Sequence, residues 1–305
     1  MKLLSYNTHL FLDSAPSFAK QDLLYNDEIR LQHIAQKLVS GDFDIVGLCE
    51  VWADKSKDTL IGAVKQVLPY AYYQPYAFES QPPAAVGSGL LVLSKYPVDG
   101  RFNAFGSSNL CDSDRYSNKG FYFCRISFND NLVQLFFTHT QANGDGKVPC
   151  RDLSTDTPPC CRKRNLSKLC KYIEGSVDKN QPVIIMGDLN LVGDCPGDSE
   201  YEDVMSLFKQ LGVDDQYRHY FPTVSMAPGV TYDAAANSLI SRFAPEDAQN
   251  HIKQRLDYIF TNAASLEATV SQVEVLSDFR YEDKQNKDSM ADLSDHYPLS
   301  ATVSF

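Results

Sequence analysis

Residues able to do hydrolytic chemistry are spread along the 305-residue sequence: Asn7, Glu50, His139, Asp188, Asn190, Asp257, Asp295 and His296. Most sit in short strings, namely Tyr6-Asn7-Thr8-His9, Cys49-Glu50, Gly187-Asp188-Leu189-Asn190, Leu256-Asp257-Tyr258 and Ser294-Asp295-His296. One residue separates Asp188 from Asn190 after an apolar run, so an extended backbone turns both side chains to one side; taken alone, Gly-Asp and Asn also suit a turn. Asp295 directly precedes His296, and an imidazole can take a proton from water near neutral pH, which fits His296 to general-base work. Asp257 is a carboxylate among apolar neighbours; such a group is normally paired, and His296 is the expected partner. Glu50 ends an apolar run and Asn7 interrupts another, and hard oxygen donors of this kind suit Mg²⁺, which keeps several waters and binds substrate phosphate. A divalent ion would offset the repulsion among Glu50, Asp188 and Asp295. His139 closes another strand-like run and reads either as a donor to a phosphoryl oxygen or leaving group, or as a structural histidine. His9, His33, His219 and His251 read as structural, His9 standing out for its nearness to Asn7. The set implies a metal-dependent phosphoesterase.

Positioning these groups takes nearly the whole chain. Short apolar or alternating runs predict strands over residues 2–8, 44–51, 89–94, 123–128, 132–140, 183–186, 255–261, 270–276 and 299–305. Helical spacing of Ile29, Ile34 and Leu38, of Leu60, Val64 and Val67, of Leu166, Leu169 and Ile173, and of Val204, Phe208 and Leu211 predicts four helices. So many strands exceed one comfortable open sheet, so the expectation is an α/β (α+β) fold with two packed sheets and helices outside. Neither half of the sequence holds a complete set of chemical residues, which predicts a single domain over 1–305. Functional groups follow directly on apolar strands, where rigid backbone suits metal ligands.

A charge balance of −11, with 28 basic against 39 acidic residues, gives a field that repels polyanions and disfavours nucleic acid as a partner. No apolar run reaches the roughly 20 residues that span a bilayer, and the strand-like start leaves no room for a signal peptide. Cys111, Cys150, Cys160, Cys161 and Cys195 fall in polar, loop-like stretches, which predicts a disulfide around the segment bracketed by Cys150 and the Cys160-Cys161 pair. The same cysteines favour an exported chain trimmed from a precursor over a cytosolic one.

With these strings in place, the sequence resembles the endonuclease/exonuclease/phosphatase superfamily, and within it the neutral sphingomyelinases, over essentially its full length. The superfamily resemblance rests on Asn7, Glu50, Gly187-Asp188-Leu189-Asn190, Asp257 and Asp295-His296. The narrower one rests on Val86-Gly87-Ser88-Gly89-Leu90 followed by Leu93-Ser94-Lys95-Tyr96-Pro97, on Lys119-Gly120, and on His139-Thr140-Gln141-Ala142. It implies a four-layered sandwich of two sheets and flanking helices. It further implies that Glu50, assisted by Asn7 and Asp295, holds Mg²⁺, with Mn²⁺ or Co²⁺ as substitutes. Asp188 and Asn190 would position water and a phosphoryl oxygen, His296 oriented by Asp257 would be the base, and His139 would stabilise the transition state or leaving alkoxide. Asp114 and Lys119 match a pair that switches such sites, the plain alternative being a surface ion pair. The implied reaction splits sphingomyelin into ceramide and phosphocholine, with a membrane phospholipid as substrate, peripheral membrane contact and a monomeric protein.

The sequence also departs from the resemblance. Secreted bacterial relatives carry an aromatic hairpin near the C-terminal catalytic pair, whereas residues 277–292 are mostly charged, with only Phe279 and Tyr281 as aromatic candidates. The Tyr-rich stretch 70–78 is the better candidate for a bilayer interface, with an edge strand or packed core as the competing reading. Other superfamily activities, on nucleic acid or a phosphoinositide, and a non-catalytic lipid-binding module are the alternatives.

Overall fold

The computed structural model describes residues 1–305 except 12–24, 77–83, 130, 144–156, 194–198, 225 and 284–288. Numbering strands in chain order, one six-stranded sheet runs β13 (Thr269–Val275), β16 (Leu299–Ser304), β1 (Lys2–Leu10), β2 (Ile45–Val51), β4 (Leu91–Ser94), β3 (Tyr70–Tyr72). The other runs β5 (Val98–Ala104), β6 (Gly120–Phe128), β7 (Asn131–His139), β8 (Val183–Asp188), β12 (Asp257–Thr261), β9 (Asp214–Asp215). Each sheet holds one parallel pair at its centre, β1 with β2 and β7 with β8, and its remaining neighbours are antiparallel.

Period-2 alternation sorts neighbouring residues into different layers. Leu3, Ile45, Leu135 and Ile184 meet between the sheets, together with Cys49, Val92, Tyr122, Phe137 and Ile259. Their sequence neighbours Leu4 and Val46 face outward onto Leu31, Ile34 and Leu38 of α1 (Asp27–Ser40) and Leu60 and Val64 of α2 (Asp54–Val64). On the far side, Phe136 and Ile185 face Leu166, Leu169 and Ile173 of α3 (Pro158–Ser176) and Val204 and Phe208 of α4 (Ser199–Gln210). Helix, sheet, sheet and helix make the four layers. Gly47 lets the sheets close up, because a Cβ there would enter the ring of Phe137.

Several local expectations change. Ile29 lies on the outer face of α1, 37% exposed, while Arg30 takes the buried face with Leu31 and Ile34. Tyr70–Tyr72 is edge strand β3 paired with β4, so the start of the Tyr-rich stretch belongs to the sheet; positions 77–83 lie outside the described residues. Residues 277–292 include the hairpin β14 (Arg280–Asp283) and β15 (Ser289–Asp292), whose Phe279 and Tyr281 are buried against the first sheet's outer face. The remaining two-stranded piece is β10 (Tyr232–Asp233) with β11 (Lys253–Gln254). The expected disulfide is not supported: Cys160 is an exposed free thiol in the first turn of α3, Cys161 is buried beside it, and Cys150 and Cys195 lie outside the described residues. Among the described residues no helix is long and apolar enough to cross a membrane.

Candidate active site

The chemically suited residues converge where the C-terminal ends of β1, β2, β7 and β8 meet the start of β12 and the loop before β16, with Asn190 flanking Asp188 and the switch pair reaching His139 through Lys119. Two backbone arrangements bring them there. In the second sheet the regular ladder does it: His139 is level with Asp188 in the parallel β7–β8 pair, and Asp188 faces Asp257 in the antiparallel β8–β12 pair. Gly187 makes this approach possible, since at φ 147° a Cβ would collide with the carbonyl of Thr138. In the first sheet the ladder breaks. The β1–β2 register shifts between Asn7 and Leu10, giving β1 one extra residue, and Glu50 and His9 take left-handed φ of 58° and 48°. Such bulged, left-handed backbone re-aims side chains at a local energetic cost. Asn190 shares that conformation at φ 49°.

One amide joins the two half-sites. Asn7 Nδ2 donates to Asp188 Oδ2 at 2.9 Å and to Glu50 Oε1 at 3.1 Å. Opposite, His296 Nδ1 lies 2.8 Å from Asp257 Oδ2, leaving Nε2 facing Asp188 Oδ2 at 3.9 Å. Asp188 Oδ1 accepts from the Asn190 backbone at 2.8 Å, while the Asn190 side chain donates to the Thr140 carbonyl at 3.3 Å. His139 Nε2 sits 3.6 Å from Asp188 and 3.9 Å from Glu50. Ser294 Oγ donates to the Asn7 carbonyl at 2.7 Å and lies 3.0 Å from Asp295 Oδ1, tying the two chain ends together.

The carboxylates crowd one another, and their charge states follow. Burial opposes a charge on His296, but Asp257, Asp188 and Asp295 outweigh it and raise the imidazole to about 10. Burial also raises Asp188 to about 7, against the pull of His296. Desolvation opposes a charge on Asp295 as well, yet the neighbouring His9 and His296 hold it below the usual carboxylate range. Burial, reinforced by the Lys119 ammonium, drives His139 well below the usual imidazole range, so its ring is neutral.

Lys119 and Asp114 are no surface pair. Lys119 is buried, and its Nζ lies 2.8 Å from Asp114 Oδ2, 3.0 Å from the Thr140 carbonyl and 3.2 Å from His139 Nε2. An ammonium only donates, so the neutral His139 accepts at Nε2 and carries its proton on Nδ1, which has no partner among the described residues.

Two groupings could receive a cation. Asp188, Asp257 and His296 form the tightest cluster, with donor atoms within 4.8 Å of one another, but all three are buried and His296 Nδ1 is already committed to Asp257. Glu50 and Asp295 supply hard oxygens beside Asn7, whose own Oδ1 accepts from the His9 backbone at 3.2 Å, and the Glu50 and Asp295 side chains keep 16% and 14% of their exposure, against 1% or less for Asp188 and Asp257. The second set fits a hydrated hard cation better. His9 lies within it: its Nδ1 is 3.2 Å from Asp295 Oδ2 and 3.7 Å from Glu50 Oε2, and its ring stacks on Phe243 at 4.0 Å. The structural reading of His9 therefore understated its place. Its spacing of two from Asn7 on a strand was the available signal, since residues i and i+2 share a face.

This fold and this convergence of carboxylates, amides and imidazoles define a phosphoesterase-type α/β sandwich. Residues 4–296 match the Endonuclease/Exonuclease/phosphatase family, and the chain belongs to it. It is 30% identical over 238 residues to a Drosophila melanogaster protein described as a neutral sphingomyelinase, covering 76% of this chain and 47% of that one. It is 26% identical over 281 residues to a sphingomyelinase C of Bacillus cereus, covering 86% of this chain and 78% of the relative. The chain thus spans about half the length of the fly protein. A beta toxin mutant of Staphylococcus aureus solved with bound magnesium ions shares the fold, with a TM-score of 0.71 over 98% of both chains at 24% identity.

Proposed function

We propose that the chain is a single-domain, Mg²⁺-dependent phosphodiesterase that hydrolyses sphingomyelin to ceramide and phosphocholine. The observation that carries this reading is the Asn7 amide, 2.9 Å from Asp188 and 3.1 Å from Glu50, which gathers carboxylates of both sheets beside the His296–Asp257 pair. The sphingomyelinase relatives support the choice of substrate.

In this reading Glu50, Asn7 and Asp295 hold the cation. Bound Mg²⁺, or Mn²⁺ or Co²⁺ in its place, supplies positive charge to a phosphodiester anion that the surrounding carboxylates would otherwise repel. His296 Nε2 takes the proton of the attacking water, with Nδ1 fixed by Asp257. Asp257, Asp188 and Asp295 raise the imidazole to about 10, so the ring must give up a proton before it can act as the base. Asp188 positions the water and Asn190 a phosphoryl oxygen. His139 stabilises the pentacovalent state or leaving alkoxide. Because its Nε2 accepts from Lys119, it can act as a donor there only after Lys119 turns toward Asp114 and away and Nε2 itself takes up a proton, which gives the Asp114–Lys119 pair a switching role. The substrate lies in a membrane, the protein meets that surface peripherally as a monomer, and a net charge of −11 weighs against nucleic acid.

The test is a panel of sphingomyelin, phosphatidylcholine, a phosphoinositide, and plain and abasic DNA, each with Mg²⁺ and with chelator. Phosphocholine release from sphingomyelin, abolished by chelator, is the expected result. Cleavage of DNA or phosphoinositide with intact sphingomyelin rejects it.

A further inference from the structure

Past Ser5, where its pairing with β16 stops, β1 offers the successive carbonyls of Asn7, Thr8 and His9 to side-chain donors. Ser294 Oγ satisfies the first. The other two are met by Arg30, whose Nη1 donates to the Thr8 carbonyl at 3.0 Å and whose Nη2 donates to the His9 carbonyl at 2.6 Å. Arg30 Nη1 also donates to the Leu293 carbonyl at 2.9 Å, two residues before Asp295, and Nε to the Tyr25 carbonyl at 3.0 Å. Its remaining donor goes to Asp27, whose other oxygen accepts from the Phe11 backbone at 2.7 Å. A guanidinium has five N–H donors in a rigid fork, and these contacts use all of them. The side chain is fully buried.

We propose that Arg30 is a positioning residue that locks the bulge of β1 to the loop carrying Asp295 and so sets the spacing of the candidate cation site. It touches none of the reacting groups. It acts through the backbone of Thr8, His9 and Leu293, which come from opposite ends of the chain and share no strand pairing at these positions. A lysine offers a point charge and three donors on one atom, and cannot span carbonyls that the fork reaches with separate nitrogens.

This inference rests on the reading of Asn7, Glu50 and Asp295 as cation ligands, and its test separates the two. Mn²⁺ and Mg²⁺ binding is titrated calorimetrically on the parent, Arg30→Lys and Asp27→Asn, with thermal melting and sphingomyelin kinetics at saturating Mg²⁺ alongside. Arg30→Lys is expected to weaken metal binding 10-fold or more, with part of kcat restored by excess Mg²⁺ and KM for lipid unchanged. Asp27→Asn keeps the carbonyl contacts and is expected to lower the melting temperature while leaving metal affinity within 2-fold. Equal metal affinity in folded Arg30→Lys and the parent overturns the proposal. So does a loss that tracks melting temperature alike in both variants. Should Arg30→Lys fail to fold, the double variant Arg30→Gln with Asp27→Asn, which leaves no buried charge unpaired, carries the same comparison. A parent that binds neither ion sinks the functional reading itself.

Discussion

The two halves of the site are built by opposite means. Asp188, Asp257 and His139 sit level with one another on unbroken strands of the second sheet, and all are buried. Asn7, His9 and Glu50 sit on the first sheet where its register slips and the backbone turns left-handed, with Arg30 and Ser294 donating to the β1 carbonyls there. A regular ladder holds its polar groups rigidly in a dry interior. Beside the bulge, the Glu50 and Asp295 side chains keep 16% and 14% of their exposure, open to solvent. His296 bridges the halves, coming from the loop before β16 and bonding Asp257 on β12.

Removing the base is the most severe way to break the ladder-built half. His296→Ala is expected to lower kcat on sphingomyelin by about 10³-fold or more, with Asp257→Asn somewhat less harmful; residual turnover within 10-fold of the parent removes His296 from the base role. In the bulged half, Glu50→Gln keeps the shape and halves the chelating charge. It should cost about 10²-fold in kcat/KM at fixed Mg²⁺, comparable to losses seen at metal sites, and raise the Mg²⁺ concentration for half activity. An unchanged Mg²⁺ titration would move the cation elsewhere, to Asp188, Asp257 and His296 first.

A stability pair sharpens the same contrast. Gly187→Ala forces a Cβ onto the Thr138 carbonyl and should destabilise by about 3 kcal/mol in a denaturant melt. Glu50→Gly relieves a left-handed residue, whose strain is about 1–2 kcal/mol, and should melt no lower than the parent while losing activity. The smallest effect is one of pH. Asp188 and His296 both have folded pKa values above their unfolded ones, about 7 and about 10, so each stabilises fully below its unfolded pKa and loses that contribution as pH rises through its folded value. Metal-free protein should therefore lose stability between about pH 4 and 10, and the rise in melting temperature on adding Mg²⁺ should widen from pH 5.5 to 8.5. A gap that narrows over that range contradicts these charge states.

The expected strands and helices correspond to observed ones because each carries its own apolar period, as in Val183–Asp188 or the buried stripe of α3. Strand β5 carried no such signal: Val98–Ala104 alternates weakly, with Asp99, Gly100 and Arg101 in its middle, and becomes a strand only by pairing with β6. The disulfide expectation failed for a related reason, since cysteines in polar sequence report composition and not distance. For Lys119 the sequence leaves a switch pair and a surface ion pair open, and only the fold, which buries it just before β6, sets it 3.2 Å from His139.

Residue type and local period sufficed for the layers, for the candidate ligands and bases, and for the pairing expected between Asp257 and His296. Tertiary structure alone decided that Asn7 bridges Glu50 and Asp188, that His9 lies between Glu50 and Asp295, and that Arg30 closes the bulge. These contacts join residues up to 286 positions apart in sequence, as 295 minus 9 gives for His9 and Asp295. They depend on strand register and on which carbonyls a bulge leaves unpaired, which no local pattern of side chains encodes.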